Sequence, residues 1–195
     1  IRLTGPELAE KMRLHALDYK YKVSIEEDLV KEIKKHGDCF TVTTKSGKSY
    51  LAKTILFATG TKWRKLPMKG ALEYESKGVH YCALCDGALF KNKVVAVIGG
   101  SDSAAKEALL LSQYAKKVYM IYRGEEIRPE PINMDRIKRN KKITVITKTN
   151  VTEIKGDKFV KEIILDNKFQ GKNVIKLEGV FGAIGSDPLS SLAKK

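Results

Sequence analysis

Apolar and polar positions change rhythm several times along the chain, and each change marks an element. Leu8, Met12, Ala16 and Tyr19 recur at helical spacing behind Thr4, a cap, and Pro6, which suits a first turn. Residues 1–20 are therefore predicted to form a helix packed on a sheet. Lys22-Val23-Ser24-Ile25 reads as a strand, and Leu29 to Ile33 as a second short extended piece. Phe40, Val42 and Thr44 then alternate with polar residues, Lys45-Ser46-Gly47-Lys48 supplies a turn, and Tyr50-Leu51-Ala52 begins the return arm of a hairpin. Thr54-Ile55-Leu56-Phe57-Ala58 is a continuous apolar run, predicted to be a buried strand that stops at Thr59-Gly60, where glycine lets the backbone approach a ligand.

Residues 61–80, with Pro67, Gly70 and Gly78 among charged side chains, read as a crossover between two domains. Beyond it the pattern becomes β-α-β. Val94 to Ile98 is an apolar strand, Ala104, Ala105, Ala108, Leu109, Leu110 and Leu111 mark a helix from Ser103 to Ala115, and Val118 to Tyr122 is the next strand. That is the order of a mononucleotide-binding half-fold, and it predicts an α/β, Rossmann-like domain with a parallel sheet. Further extended pieces are predicted at 143–147, 150–154, 160–165 and 173–177, with turns at Gly156-Asp157 and Gln170-Gly171. Val180 to Gly185 reads as a buried strand running to a glycine.

Composition narrows the classes. A chain of 195 residues with 43% hydrophobic content holds one large domain or two small ones with a real core, which excludes disorder. No apolar run reaches the roughly 18 residues that span a bilayer, and Ile1-Arg2-Leu3-Thr4 lacks the pattern of a signal peptide. No membrane partner is expected, and a cytoplasmic location is the default. The net charge of +14 invites a nucleic-acid reading. The lysines are scattered, however, and the basic runs Lys31 to Lys35 and Arg136 to Lys142 carry no interleaved aromatics. A solvated surface is the preferred reading, with no nucleic-acid partner.

Three cysteines do not make a disulfide scaffold, so a C-x-x-C here is catalytic or metal-binding. Cys82-Ala83-Leu84-Cys85-Asp86-Gly87 places two thiols at the separation of a redox disulfide with a carboxylic acid beside the second. Such an acid donates or accepts the proton that thiol exchange moves. The competing reading is a zinc site completed by His80 and Cys39. It is disfavoured because Cys39 lies in the early hairpin and no second C-x-x-C exists, so no metal is assigned. Cys39 reads as a buried or half-buried free thiol, and His15 and His36 as surface residues.

Gly99-Gly100-Ser101-Asp102-Ser103-Ala104 follows the strand at the mouth of the helix. A helix N-terminus presents unpaired N–H groups, and small residues let a pyrophosphate reach them. Ser101 stands where the usual fingerprint has glycine. Arg123 ends the second strand where an acid would hold the ribose of NAD, and Arg128 follows five residues on, which favours NADPH. Glu125 and Glu126, between them, weaken phosphate binding if they point inward.

The blocks Ala58-Thr59-Gly60, Gly78 to Gly87 and Val97 to Ala104, in this order and at these separations, resemble the low-molecular-weight thioredoxin reductases. The resemblance runs on through Tyr122-Arg123 to Ala183-Ile184-Gly185. It implies a flavoprotein in which NADPH reduces FAD, FAD reduces a Cys82–Cys85 disulfide, and the dithiol reduces thioredoxin or a glutaredoxin-like protein. By that resemblance Cys82 attacks the partner, Cys85 faces the flavin and Asp86 is the acid. It places Val30, Thr59 and Gly60 near FAD, and Gly99 to Ala104, Arg123, Arg128, Ile184 and Gly185 among the cofactor-binding positions. The family's His-Arg-Arg block reads Tyr122-Arg123-Gly124 here, which leaves NADH use open.

The expected organisation is a partial FAD-binding domain over 1–65, an NAD(P)-binding domain carrying the cysteines over 66–188, and the start of a return to the FAD domain over 189–195. The family's opening strand with its glycine turn and its closing Gly-Asp block have no counterpart here, so a chain of this extent is expected to bind FAD poorly and to be inactive alone. The complete protein is expected to be a homodimer. The alternative reading is a non-catalytic Rossmann nucleotide-binding module that has lost FAD binding.

Overall fold

A computed structural model describes residues 3–19 and 21–194, which fall into two compact units. The first comprises residues 1–59 and 190–195, the second residues 60–189.

In the first unit, helix α1 (Gly5–Leu17) is opened by a capping box. The Glu7 N–H donates to Thr4 Oγ1 at 3.4 Å and the Thr4 N–H donates to Glu7 Oε2 at 2.7 Å, satisfying two donors the helix leaves unpaired. The helix buries none of its residues, with Met12 66% exposed, so the expected packing on a sheet is not found. Strands β1 (Val30–His36), β2 (Cys39–Thr44) and β3 (Ser49–Ala52) form an antiparallel sheet in the order β1-β2-β3. The hairpin of β2 and β3 is the predicted one. Two other expected strands are irregular backbone, 22–25 and 54–58. The second is a correction with a physical cause: a continuous apolar run becomes a buried strand only between neighbours that pair with it, and among the described residues none does. Leu56 is accordingly 91% exposed.

The second unit is built in three layers. A parallel sheet of β5 (Val79–His80), β6 (Val94–Ile98), β7 (Lys117–Ile121), β8 (Ile143–Ile146) and β12 (Gly179–Gly182) has the order β5-β12-β6-β7-β8. Strand alternation divides its side chains between two cores. Ala96, Ile98, Ile121 and Val180 face a three-stranded antiparallel sheet of β9 (Val151–Gly156), β10 (Val160–Phe169) and β11 (Lys172–Lys176), meeting Ile154, Ile163 and Leu165. Val95, Val97, Met120 and Phe181 face the helices α2 (Ala83–Asp86), α3 (Asp102–Tyr114) and α4 (Pro131–Arg139), meeting Ala104, Ala108, Leu111 and Ile137. Strand β4 (Thr61–Trp63) pairs with β13 (Ser186–Pro188), so the two ends of the unit lie together. No described helix is long and apolar enough to cross a membrane.

Candidate functional site

The β6-α3-β7 unit builds the nucleotide-type turn. The Gly99 N–H donates to the Ile121 carbonyl at 3.0 Å, and the Ala183 N–H to the Ile98 carbonyl at 2.9 Å. These bonds hold the ends of β6, β7 and β12 side by side. Gly99 has φ +152°, and a Cβ there would collide with the Ala183 carbonyl and lie 3.0 Å from the Ala104 Cβ. Only glycine fits. Ser101 is the N-cap of α3 and makes no capping side-chain hydrogen bond; it and Ser103 are exposed, so the first turn of the helix is open to an anion.

Asp102 puts a carboxylate in that turn, but it is already neutralised. It accepts from Lys106 Nζ at 2.6 Å, Asn133 Nδ2 at 2.8 Å and the Glu130 N–H at 3.0 Å. The Lys106 ammonium, with the amide and backbone donors, pulls its pKa from 3.8 to about 2. Asp102 thereby fastens the start of α3 to the start of α4.

The arginine loop is fastened to the same turn. The Arg128 N–H donates to the Gly100 carbonyl at 2.7 Å, and its guanidinium donates to the Tyr122 hydroxyl at 3.3 Å. The Tyr122 ring fills the space a Cβ at Gly100 would need, 2.6 Å from Cδ1, and crowds Gly124 in the same way. The smallness of Gly100 thus seats an aromatic ring of the chain itself, a use that sequence reading missed. Arg123 is exposed and, among the described residues, makes no ion pair. Glu125 pairs with Lys148 at 2.8 Å. The structure brings Gly99 to Ala104 and Arg128 into one site, with Ala183, and so the neighbouring Ile184 and Gly185, at its margin. Gly185 has φ +103° and accepts the Arg64 N–H at 3.0 Å.

The redox segment packs on the same helix. Ala83 lies in one core with Ala104 and Leu111, and Gly87 approaches Leu111 and Tyr114 so closely that a Cβ would sit 3.3 Å from Leu111 Cδ2. Cys82 and Cys85 form a disulfide, with Cα atoms 5.3 Å apart. Cys82 caps α2, its Sγ accepting the Cys85 N–H at 3.1 Å, while Cys85 is exposed and Cys82 half-buried. Asp86 is half-buried and paired with His80, Nδ1 to Oδ2 at 2.8 Å. They lie six positions apart across a strand-to-helix turn, a spacing with no periodic signal. Cys39, in the first unit, is a half-buried free thiol.

Glu107, one turn before Leu111 on α3, was also not legible in the sequence. Its Oε2 is buried with no hydrogen-bond partner among the described residues, and burial pushes its pKa from 4.5 to about 7. Val30 opens β1 half-buried, Thr59 is exposed, and Gly60 has φ +72° with nothing within 4 Å of an added Cβ.

The pattern of the family described as "Pyridine nucleotide-disulphide oxidoreductase" matches residues 5–195. The bifunctional thioredoxin reductase/thioredoxin of Mycobacterium leprae is 38% identical over 97% of this chain and 41% of its own length. The thioredoxin reductase of Mycolicibacterium smegmatis is 35% identical over 98% of the chain and 61% of its own. Among solved structures, the thioredoxin reductase of Lactococcus lactis superposes with a TM-score of 0.80 at 34% identity, covering 98% of this chain and 63% of that one. The chain therefore spans between about two fifths and three fifths of the length of the curated relatives it matches.

Proposed function

For a chain that belongs to the pyridine nucleotide-disulphide oxidoreductase family, we propose that it is the nucleotide-binding and dithiol portion of a thioredoxin reductase, passing electrons from a nicotinamide nucleotide to the Cys82–Cys85 pair and on to a small redox protein. The observation that carries this is the disulfide of the C-x-x-C, seated with its acid Asp86 against the helix whose N-terminus forms the glycine turn. FAD, when bound, supplies the passage of electron pairs between nicotinamide and disulfide. Gly60, with its open left-handed backbone, and the neighbouring Thr59 are the positions proposed to lie along it, together with Val30.

The chain's own residues divide the work. The N–H groups at the start of α3, with Gly99 and Ser101, hold the pyrophosphate, and Arg123 and Arg128 meet a 2′-phosphate, which favours NADPH over NADH. Cys82, as thiolate, bonds one sulfur of the partner disulfide, whose other sulfur leaves as a thiolate and takes a proton from Asp86. Cys85 then gives its proton back to Asp86 and attacks Cys82 Sγ, which re-forms the Cys82–Cys85 bond and expels the partner's second sulfur. Two electrons and one proton pass to the partner, whose second sulfur leaves as a thiolate and takes its proton from water.

Thioredoxin is the proposed partner, with a glutaredoxin-like protein as a variant of the same chemistry, and the complete protein is proposed to be a cytoplasmic homodimer. The non-catalytic alternative gives the disulfide no role. The test is anaerobic addition of NADPH to the complete, flavin-loaded protein, followed by alkylation and intact mass. Both Cys82 and Cys85 become alkylated if the reading holds; a disulfide that stays closed while the flavin bleaches contradicts it.

A further inference from the structure

His80 belongs to the redox segment, yet the mechanism above gives it no task. Alternation along β5 turns Val79, fully buried, toward the antiparallel sheet and His80 toward the helical layer. There the imidazole stacks on Phe181 at 5.5 Å and 27°, and meets Phe90 edge-on at 5.3 Å and 77°. Its side chain is 11% exposed. Two aromatic rings thus fix the plane of the imidazole, and the ring nitrogen Nδ1 is aimed at Asp86 Oδ2, 2.8 Å away. With the hydrogen on Nδ1, the imidazole donates to Oδ2, and Oδ1 stays free to hold a proton. Among the described residues His80 is the sole side-chain partner of Asp86. The orientation of the carboxyl group therefore depends on one contact.

We propose that His80 is a positioning residue that holds Asp86 for proton transfer at the Cys82–Cys85 pair, an inference that rests on the reading of Asp86 as the acid of that pair. Asp86 ends a helix of four residues and its side chain is 35% exposed, so without a partner it would sample several rotamers. With Oδ2 held by His80, Oδ1 is the oxygen left to carry the mobile proton. That proton passes from Asp86 to the departing sulfur of the partner and returns from the Cys85 thiol. His80 keeps its own Nδ1 hydrogen throughout, so the balance between dithiol and partner disulfide is unchanged.

Other charged side chains share a cavity with His80. Lys93, Lys161, Glu162, Lys176 and Glu178 line, with His80, a cavity of about 830 Å³, and Glu107 lies on α3, which packs against α2. Lys161 is paired with Asp157, and Glu178 accepts the Val94 N–H. These groups are common to every variant below, so differences between variants at one pH report on His80 itself.

The test uses the full chain, reduced with a phosphine, freed of reductant and mixed with either of two disulfides across a pH range of about 5 to 9. Hydroxyethyl disulfide releases a basic thiolate that needs a proton; a nitroaromatic disulfide releases a weakly basic one that does not. His80→Phe keeps the ring stacking and removes the hydrogen bond. It is expected to slow the aliphatic reaction about tenfold and shift its pH profile, leaving the nitroaromatic rate within about twofold. His80→Asn, with an amide nitrogen near the place of Nδ1, is expected to recover most of the loss. If His80→Phe keeps the wild-type rate with both disulfides, or loses rate in parallel with both, the proposal is overturned. Asp86→Asn separates the two levels: if it too reacts like the wild type, the reading of Asp86 as acid fails, whereas a slow Asp86→Asn beside a normal His80→Phe sinks only the role of His80. Should His80→Phe not fold, the nitrogen resonances of the wild-type imidazole decide, because a hydrogen on Nε2 with Nδ1 bare contradicts the geometry.

Discussion

Arg128 donates its backbone N–H to the Gly100 carbonyl at 2.7 Å, so the arginine loop and the glycine turn move as one piece. A side chain carried on that loop is pre-aimed at whatever the turn binds, and a phosphate gains from a guanidinium only when the loop's order is already paid for. Replacing both Arg123 and Arg128 with Ala is expected to weaken NADPH binding about 10- to 100-fold and to leave NADH binding within about twofold. Calorimetric titration with each nucleotide checks this, and a preference that survives in the double variant removes both arginines from the phosphate site.

Gly99 is set by packing as well as by backbone. At φ +152° and against the Ala183 carbonyl, an Ala side chain has neither a comfortable conformation nor space. Gly99→Ala is expected to cost about 2–3 kcal/mol of unfolding free energy in urea and to loosen nucleotide binding with it. Gly171, with φ +79° and nothing within 4 Å of an added Cβ, serves as the control, where only the conformational cost of about 1 kcal/mol remains.

Glu107 makes stability depend on pH in a direction opposite to that of an ion-paired acid. Its folded pKa, about 7, stands above the 4.5 of the free group, so the folded protein binds that proton more tightly than the unfolded chain does. Its contribution is neutral below about pH 4.5 and becomes a loss as pH rises toward 7 and beyond. Glu107→Gln is thus expected to leave stability near pH 4 unchanged and to raise it by about 1–2 kcal/mol at pH 8, after discounting for the solvent that still reaches the group. Urea melts of both proteins at the two pH values decide; a gain of the same size at both contradicts burial of the carboxylate.

The elements that sequence made legible are those in which pattern and packing agree. Val94 to Ile98 is apolar throughout because β6 lies between β12 and β7 with a core on each face, and the alanines of α3 are small because the helix sits close on that sheet. Thr54 to Ala58 has the same apolar pattern and no pairing partner among the described residues, so composition alone misled. Helix α4 escaped notice because, of its nine residues, only Met134 and Ile137 join the apolar core, beside the buried polar Asn133 and after Pro131 at its first turn. In the site, the glycines and cysteines announced themselves by type and spacing. The roles of His80, Tyr122 and Glu107 did not, because each depends on a neighbour that only the tertiary fold supplies.

Cys85→Ser leaves the nucleotide turn untouched, since α2 meets α3 through Ala83 and Gly87 and the Cys85 side chain is exposed. Nucleotide affinity is expected to stay within about twofold, while reduction of a protein disulfide stops at the mixed disulfide on Cys82. Intact mass detects that trapped species.

The most direct test of the central claim is exchange between this dithiol and a thioredoxin. The reduced chain is mixed with oxidised thioredoxin, quenched over time with an alkylating agent and weighed. Cys82 and Cys85 are expected to lose two alkyl groups in step with the gain of two on thioredoxin. If Cys82 and Cys85 remain alkylatable while thioredoxin stays oxidised, the pair is not the redox centre proposed here.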